Sequence, residues 1–146
     1  MIGEALIVVI TFVVIVLAYR FFAGYYPGSK FIIEEPPLEK NGLDSDQARL
    51  MFFYTSWCPW STKARAPWNS FKQMLTNTPV KYGGKTVLFE EINADSDKGK
   101  AALYRVVEYP TFKLETNDKL FLFKAIPDPV TFEAFLTSAL GQKNSS

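Results

Sequence analysis

The chain has no histidine and a single cysteine, Cys58, among its 146 residues. Without histidine there is no imidazole base near neutral pH, no Ser-His or Cys-His nucleophile pair, and the commonest metal ligand is missing. With one sulfur, neither an intramolecular disulfide nor a cysteine-based zinc site can form within the chain. The lack of a disulfide fits a reducing compartment. An excess of one charge is also lacking: 16 Lys and Arg face 15 Asp and Glu, for a formal net charge of +1. No basic block stands out, so a nucleic-acid partner has no electrostatic footing. No metal or cofactor is expected.

Aromatic residues are what the chain has in plenty: thirteen Phe, seven Tyr and three Trp can fill a small core with rings. Its one long apolar run lies at the start. Ala5 to Tyr19 carry no charge, and Glu4 and Arg20 bracket them. Fifteen helical residues reach roughly 22 Å, short of a hydrocarbon core of about 30 Å, unless Arg20 snorkels and Phe21 to Ala23 extend the helix. Tyr25 and Tyr26 then fall at headgroup level, and Pro27-Gly28 ends the helix. A cleaved signal peptide is the rival reading. It needs a basic start and a small-x-small cleavage site, whereas Glu4 is the only charge before the run and Leu17-Ala18-Tyr19-Arg20 cleaves poorly. A retained transmembrane anchor, residues 1–26, is therefore expected to bind the lipid bilayer. Arg20, Lys30 and Lys40 all follow the run, so the soluble part is expected to face the cytosol, making a single-pass membrane protein.

Residues 27–48 read as a linker with room for one edge strand at Phe31 to Ile33, stopped by Pro36-Pro37. Residues 49–140 read as one domain, and 141–146 as a polar tail. Leu50 to Thr55 is apolar almost throughout, as in a strand buried on both faces. Ser56 to Ser61 is a turn, and a helix runs from Ser61 to Leu75 with Trp68, Phe71 and Leu75 on one face. Lys81 to Lys85 is a loop turning at Gly83-Gly84. Thr86 to Asn93 is the next strand. Asp95 to Asp97 caps a helix over Lys98 to Val106. Thr111 to Glu115 and Lys119 to Lys124 form a hairpin, and Asp128-Pro129 opens the last helix. The early βαβ unit demands a parallel pair and the late hairpin adds antiparallel strands, so the fold class is α/β, a mixed sheet of about four strands with helices on both faces.

Three local features resemble the thioredoxin family. Trp57-Cys58-Pro59-Trp60-Ser61, between a strand and a helix, looks like the W-C-x-x-C turn. Ile92-Asn93-Ala94-Asp95 looks like the strand that ends in an acidic turn. Val107-Glu108-Tyr109-Pro110-Thr111 looks like the loop that carries a cis-proline beside the cysteine. Pro67 to Phe71 and Phe89 to Asp95 are similar also to protein disulfide isomerase domains and to small thioredoxin-like proteins of large DNA viruses. The resemblance implies a thioredoxin-like fold over Arg49 to Leu140, with Cys58, Ser61 and Pro110 as catalytic positions if the site is active. The departures fall on the chemistry. Ser61 stands where the family has its second cysteine, and Phe52 stands where it has a buried acid that moves protons. Pro67 falls one residue later than the helix proline of the family, which touches helix shape alone.

Dithiol reduction needs one thiol to attack and another to resolve. With Ser61 the second step has no internal nucleophile. A helix N-terminus, Lys63, Arg65 and the Ser61 hydroxyl are each able to favour a Cys58 thiolate. The first reading is a redox-inactive docking or structural module presenting Trp57, Pro59, Trp60, Tyr109 and Thr111 to another protein. By the viral resemblance it is a minor virion component between an internal membrane and capsid proteins. The alternative is monothiol exchange or isomerisation at Cys58 with an external thiol. Glu90-Glu91 is expected to be a solvated strand end, and Lys98 and Lys100 to face water.

Overall fold

The computed structural model describes residues 1–23 and 31–145. Its first element is helix α1 (Ile2–Ala23), 22 residues long. At 1.5 Å per residue that is about 33 Å, enough for a hydrocarbon core. Its apolar window has a mean hydropathy of 2.6 and none of it is buried in the rest of the chain. The helix fits a transmembrane or a signal helix. The expected roles of Tyr25, Tyr26, Pro27 and Gly28 lie outside the described residues.

The domain that follows contains β1 (Ile32–Glu35), β2 (Gln47–Tyr54), α2 (Pro59–Asn77), β3 (Val80–Tyr82), β4 (Lys85–Asn93), α3 (Lys98–Leu103), β5 (Thr111–Thr116), β6 (Leu120–Phe123), α4 (Pro129–Leu140) and β7 (Lys143–Ser145). The strands join one sheet in the order β1-β6-β5-β2-β4-β3-β7. Strands β2 and β4 are parallel, joined through α2, and the remaining pairs are antiparallel. This is the thioredoxin-like α/β arrangement, widened by short strands at its margins.

Alternation along β2 divides the core. Leu50 and Phe52 point to the layer of α2 and α4, where Trp68, Phe71, Phe112, Phe132 and Phe135 are buried. Met51 and Phe53 point to the layer of α3, with Ile92, Ala101 and Tyr104. The first layer is a continuous ring cluster. Phe52 stacks on Phe112 at 4.8 Å and 5°, and Trp68 lies 5.3 Å from Phe52.

Two strands exceed the sequence expectation, and a third is one it allowed for. The edge strand allowed for in 27–48 is β1, paired with β6 and ending before Pro36. The loop expected at Lys81 to Lys85 is a β3–β4 hairpin whose turn residues Gly83 and Gly84 have φ of 57° and 78°. The polar tail contains β7, paired with β3. A Cβ on Gly83 would lie 1.8 Å from the Leu140 carbonyl oxygen, so only glycine lets the hairpin meet the end of α4. Helix α3 stops at Leu103, earlier than Val106, because Arg105 turns into the left-handed region at φ 56°.

The α3 side of the sheet also contains charge. Lys113 and Glu115 on β5 are each 1 % exposed. Lys113 donates to Glu35 at 2.5 Å and to the Tyr104 carbonyl at 2.6 Å. Glu115 accepts from Arg49 at 2.7 Å and from the Tyr104 hydroxyl at 2.8 Å. Asn41 donates to the Thr116 carbonyl at 2.7 Å, and Arg105 to that of Pro36 at 2.6 Å. Residues 35–43 are thereby strapped over a face that the short α3 leaves uncovered. Glu90, expected to be solvated, is half-buried and engaged, whereas Glu91 is exposed as expected while its carboxylate still takes a partner. Glu90 pairs with Lys100 and, at 3.4 Å, with Arg49. Glu91 accepts from Trp68 Nε1 at 2.8 Å. The reason for Glu90 is position: β4 lies between β2 and β3 inside the sheet, where Arg49 of β2 and Lys100 of α3 reach it. Lys100 correspondingly faces Glu90 and not open water.

Candidate functional site

Strand β2 ends at Tyr54, opposite Asn93 of the parallel β4 and beside Thr111 at the start of β5, which pairs with Phe53. All three strand ends meet at one sheet edge. There the chain turns through Ser56-Trp57 into α2, with Cys58 at the N-cap position and Pro59 in the first turn. Proline suits that place because its missing N–H would have had no helical partner.

Cys58 is 8 % exposed, and its Sγ lies 3.6 Å from the Tyr109 carbonyl oxygen. The Tyr109–Pro110 peptide bond is cis. The Ser61 backbone N–H is the largest influence on the thiol and lowers its pKa below the ordinary thiol value. Burial opposes it, and the Trp60 N–H and Ser61 hydroxyl add to the lowering. The Tyr109 carbonyl can only accept, so it favours the neutral thiol, while the N–H groups favour the thiolate. Lys63 and Arg65 are occupied elsewhere. Lys63 Nζ sits 5.1 Å from the Trp60 ring centre, and Arg65 lies 4.5 Å from that of Tyr54 and 3.8 Å from Glu91. The thiolate is therefore favoured by hydrogen-bond donors and not, as the sequence implied, by those cations.

Ser61 is buried beneath the thiol, and its Oγ accepts from the Thr55 N–H at 3.4 Å. Its hydroxyl proton stays available to Cys58. The buried Thr55 Oγ1 has no partner among the described residues. Where the family has its buried acid, Phe52 lies among rings.

Trp57 and Trp60 are 69 % and 66 % exposed and flank the cysteine. Pro59 is exposed, Tyr109 and Pro110 are half-buried, Thr111 is buried, and Trp68 is core. Beside the turn opens a cleft of about 800 Å³, walled in part by Trp60, Tyr109, Pro110 and Ile126.

Asp95, read from sequence as a helix cap, orders this turn. Its carboxylate accepts from Trp57 Nε1 at 3.0 Å, from the Ser56 N–H at 3.3 Å and from the Ser56 hydroxyl at 3.2 Å. Burial works against the carboxylate, but these donors and Lys98 hold its pKa below the usual range. Asp97 is the cap, accepting from the Lys100 N–H at 3.0 Å. The signal for Asp95 was present: parallel strands that end together bring the residues just past Asn93 next to those just past Tyr54.

No curated protein matches the chain. Solved structures match its fold. Human ERp44 aligns at 19% identity over 64% of this chain and 28% of its own, with a TM-score of 0.54. The first thioredoxin domain of mouse protein disulfide-isomerase A4 aligns at 19% identity over 68% of this chain and 66% of its own, with a TM-score of 0.55. Fasciola hepatica thioredoxin aligns at 16% identity over 64% and 82%, with a TM-score of 0.52. This chain thus spans only about a quarter of the length of ERp44. The family model described as thioredoxin matches residues 35–135, most of the chain, and the chain belongs to the thioredoxin family.

Proposed function

We propose that this is a membrane-anchored thioredoxin-fold protein that performs single-thiol exchange at Cys58, with its domain on the cytosolic side. The observation that carries the proposal is the set of donors around the sulfur, two N–H groups and the Ser61 hydroxyl, which lowers the thiol pKa. Thiols at helix N-termini with lowered pKa are the reactive ones. In the reaction the Cys58 thiolate attacks one sulfur of a client disulfide. A Cys58–client disulfide forms, the old S–S bond breaks, and the displaced thiolate takes up a proton. A small thiol such as glutathione then attacks the mixed disulfide and restores Cys58. Ser61 hydrogen-bonds the thiolate but cannot resolve the intermediate. ERp44 and the disulfide-isomerase domain share the fold, and exchange at a single thiol extends that likeness to chemistry.

The test is mass spectrometry after incubation with a symmetric aromatic disulfide. One equivalent should add to the chain, glutathione should remove it, and Cys58→Ala should take up none. Absence of the adduct at neutral pH would overturn the proposal.

The exposure of Trp57 and Trp60 favours a second reading, in which the same surface docks a protein without chemistry. The anchored domain would then tie a membrane to a neighbouring assembly, such as a capsid shell around an internal virion membrane. A partner that binds wild type and Cys58→Ala equally, but not Trp60→Ala, would support it.

A further inference from the structure

The register of the sheet fixes where the chain enters the domain from α1. Strand β1 runs antiparallel to β6, with Ile32 opposite Phe123, and the Lys124 N–H donates to the Phe31 carbonyl at 2.7 Å. Strand β6 is antiparallel to β5, and β5 to β2, so the end of β6, the start of β5 and the end of β2 share one edge. That is the edge where Cys58 sits. The chain therefore enters the domain on its thiol edge, three strand positions from β2, or about 14 Å at ~4.8 Å per strand.

Only residues 24–30 separate Ala23 from Phe31. Fully extended, they bridge no more than about 29 Å at ~3.6 Å per residue. Slack cannot be drawn from the next segment, because β1 is hydrogen-bonded into the sheet and residues 35–43 are strapped by Lys113, Thr116 and Arg105. The thiol is thus confined to roughly 45 Å from the end of α1, while the opposite edge of the sheet can lie a strand length farther out. The near edge also exposes apolar side chains: Trp57, Trp60 and Ile126 are 69 %, 66 % and 43 % exposed. Indole rings are favoured at a bilayer interface.

We propose that the substrates of Cys58 are disulfide-bonded cysteines in the juxtamembrane segments of other membrane-anchored proteins. The proposal deepens the exchange reading and rests on it. Full-length protein in phosphatidylcholine vesicles can be given probes whose single cysteine is paired with thionitrobenzoate. Cys58 thiolate attacks the probe sulfur, the S–S bond to thionitrobenzoate breaks, and the coloured anion leaves as the chain–probe disulfide forms. One probe holds its cysteine about five residues beyond an apolar helix. A second raises it on a rigid helical spacer of about 60 Å. A third lacks the apolar helix and is soluble. The near probe should react about tenfold faster than the raised one at equal surface density, by effective concentration. Inserting about 40 Gly/Ser residues between Ala23 and Phe31 should remove the difference, since such a tether reaches the raised thiol. Equal rates for near and raised probes, with the soluble probe still reacting, would overturn the juxtamembrane assignment and leave single-thiol exchange standing. Failure of all three probes would overturn the exchange reading itself.

Discussion

At Cys58, donors that favour the thiolate act against a carbonyl that favours the thiol, and the donors prevail. The pH profile of iodoacetamide alkylation should have its midpoint below that of a free cysteine. In Ser61→Ala the midpoint should rise, because one donor is gone, but it should stay below the free value because the backbone N–H groups remain. An unchanged midpoint in Ser61→Ala would show that the hydroxyl plays no part. Two buried tyrosines make a second contrast. The Tyr82 hydroxyl has no partner among the described residues, and burial, with the nearby Glu133 charge, pushes its pKa up to about 12. The Tyr104 pKa is raised too, by burial and by Glu115, to which its hydroxyl donates. A phenol held neutral in the fold contributes stability that is complete below its unfolded value, near pH 10, and is lost as pH rises toward the folded value. Urea midpoints should fall above about pH 10, and Tyr82→Phe should reduce that fall. At neutral pH Tyr82→Phe should change stability by less than about 0.5 kcal/mol, whereas Tyr104→Phe should cost about 1.5 kcal/mol or more by stripping a donor from a buried carboxylate.

Among the elements, β5 is the one whose composition misleads. Thr111 to Glu115 alternates as a strand, yet the charges at 113 and 115 point into the protein. Sequence alone assigns such charges to water, because burial of Lys and Glu is rare without partners. Their partners, Glu35 and Asn41, Arg49, and Tyr104, come from three separate segments, so no local pattern announces them. Glu115→Ala should cost about 3 kcal/mol or more in urea unfolding, since it leaves Arg49 and the Tyr104 hydroxyl without their buried acceptor. A loss below about 1 kcal/mol would mean that water replaces the carboxylate. The strands legible in advance, β2, β4, β5 and β6, carry a clear apolar signal. Strands β3 and β7 do not: three residues each at a sheet margin give no periodicity to read, and their pairing is set by the turn at Gly83-Gly84 and the close approach of Gly83 to Leu140. Helix α2 was legible through Trp68, Phe71 and Leu75, and its start was misjudged by two residues because Pro59 and Trp60 belong to its first turn.

For the whole molecule, the short turn Trp57 to Ser61 and Pro110 mark the candidate site in the sequence, whereas Asp95 reads there as part of an acidic turn and helix cap and not as a site residue. What chain order could not supply was the donor geometry around the sulfur, the distraction of Lys63 and Arg65 by Trp60, Tyr54 and Glu91, and the entry of the chain on the thiol edge. Each depends on contacts between segments far apart in sequence. The proposed chemistry rests on one sulfur that can capture a client and cannot release it unaided. The direct test is disulfide reduction by purified full-length protein, reduced beforehand and freed of small thiols, compared with Ser61→Cys. Wild type should consume one equivalent of disulfide per chain and stop, resuming when glutathione is added. The Ser61→Cys variant should instead end with Cys58 joined to the introduced sulfur in an internal disulfide and both client thiols released. Repeated reduction by wild type with no added thiol would contradict the account.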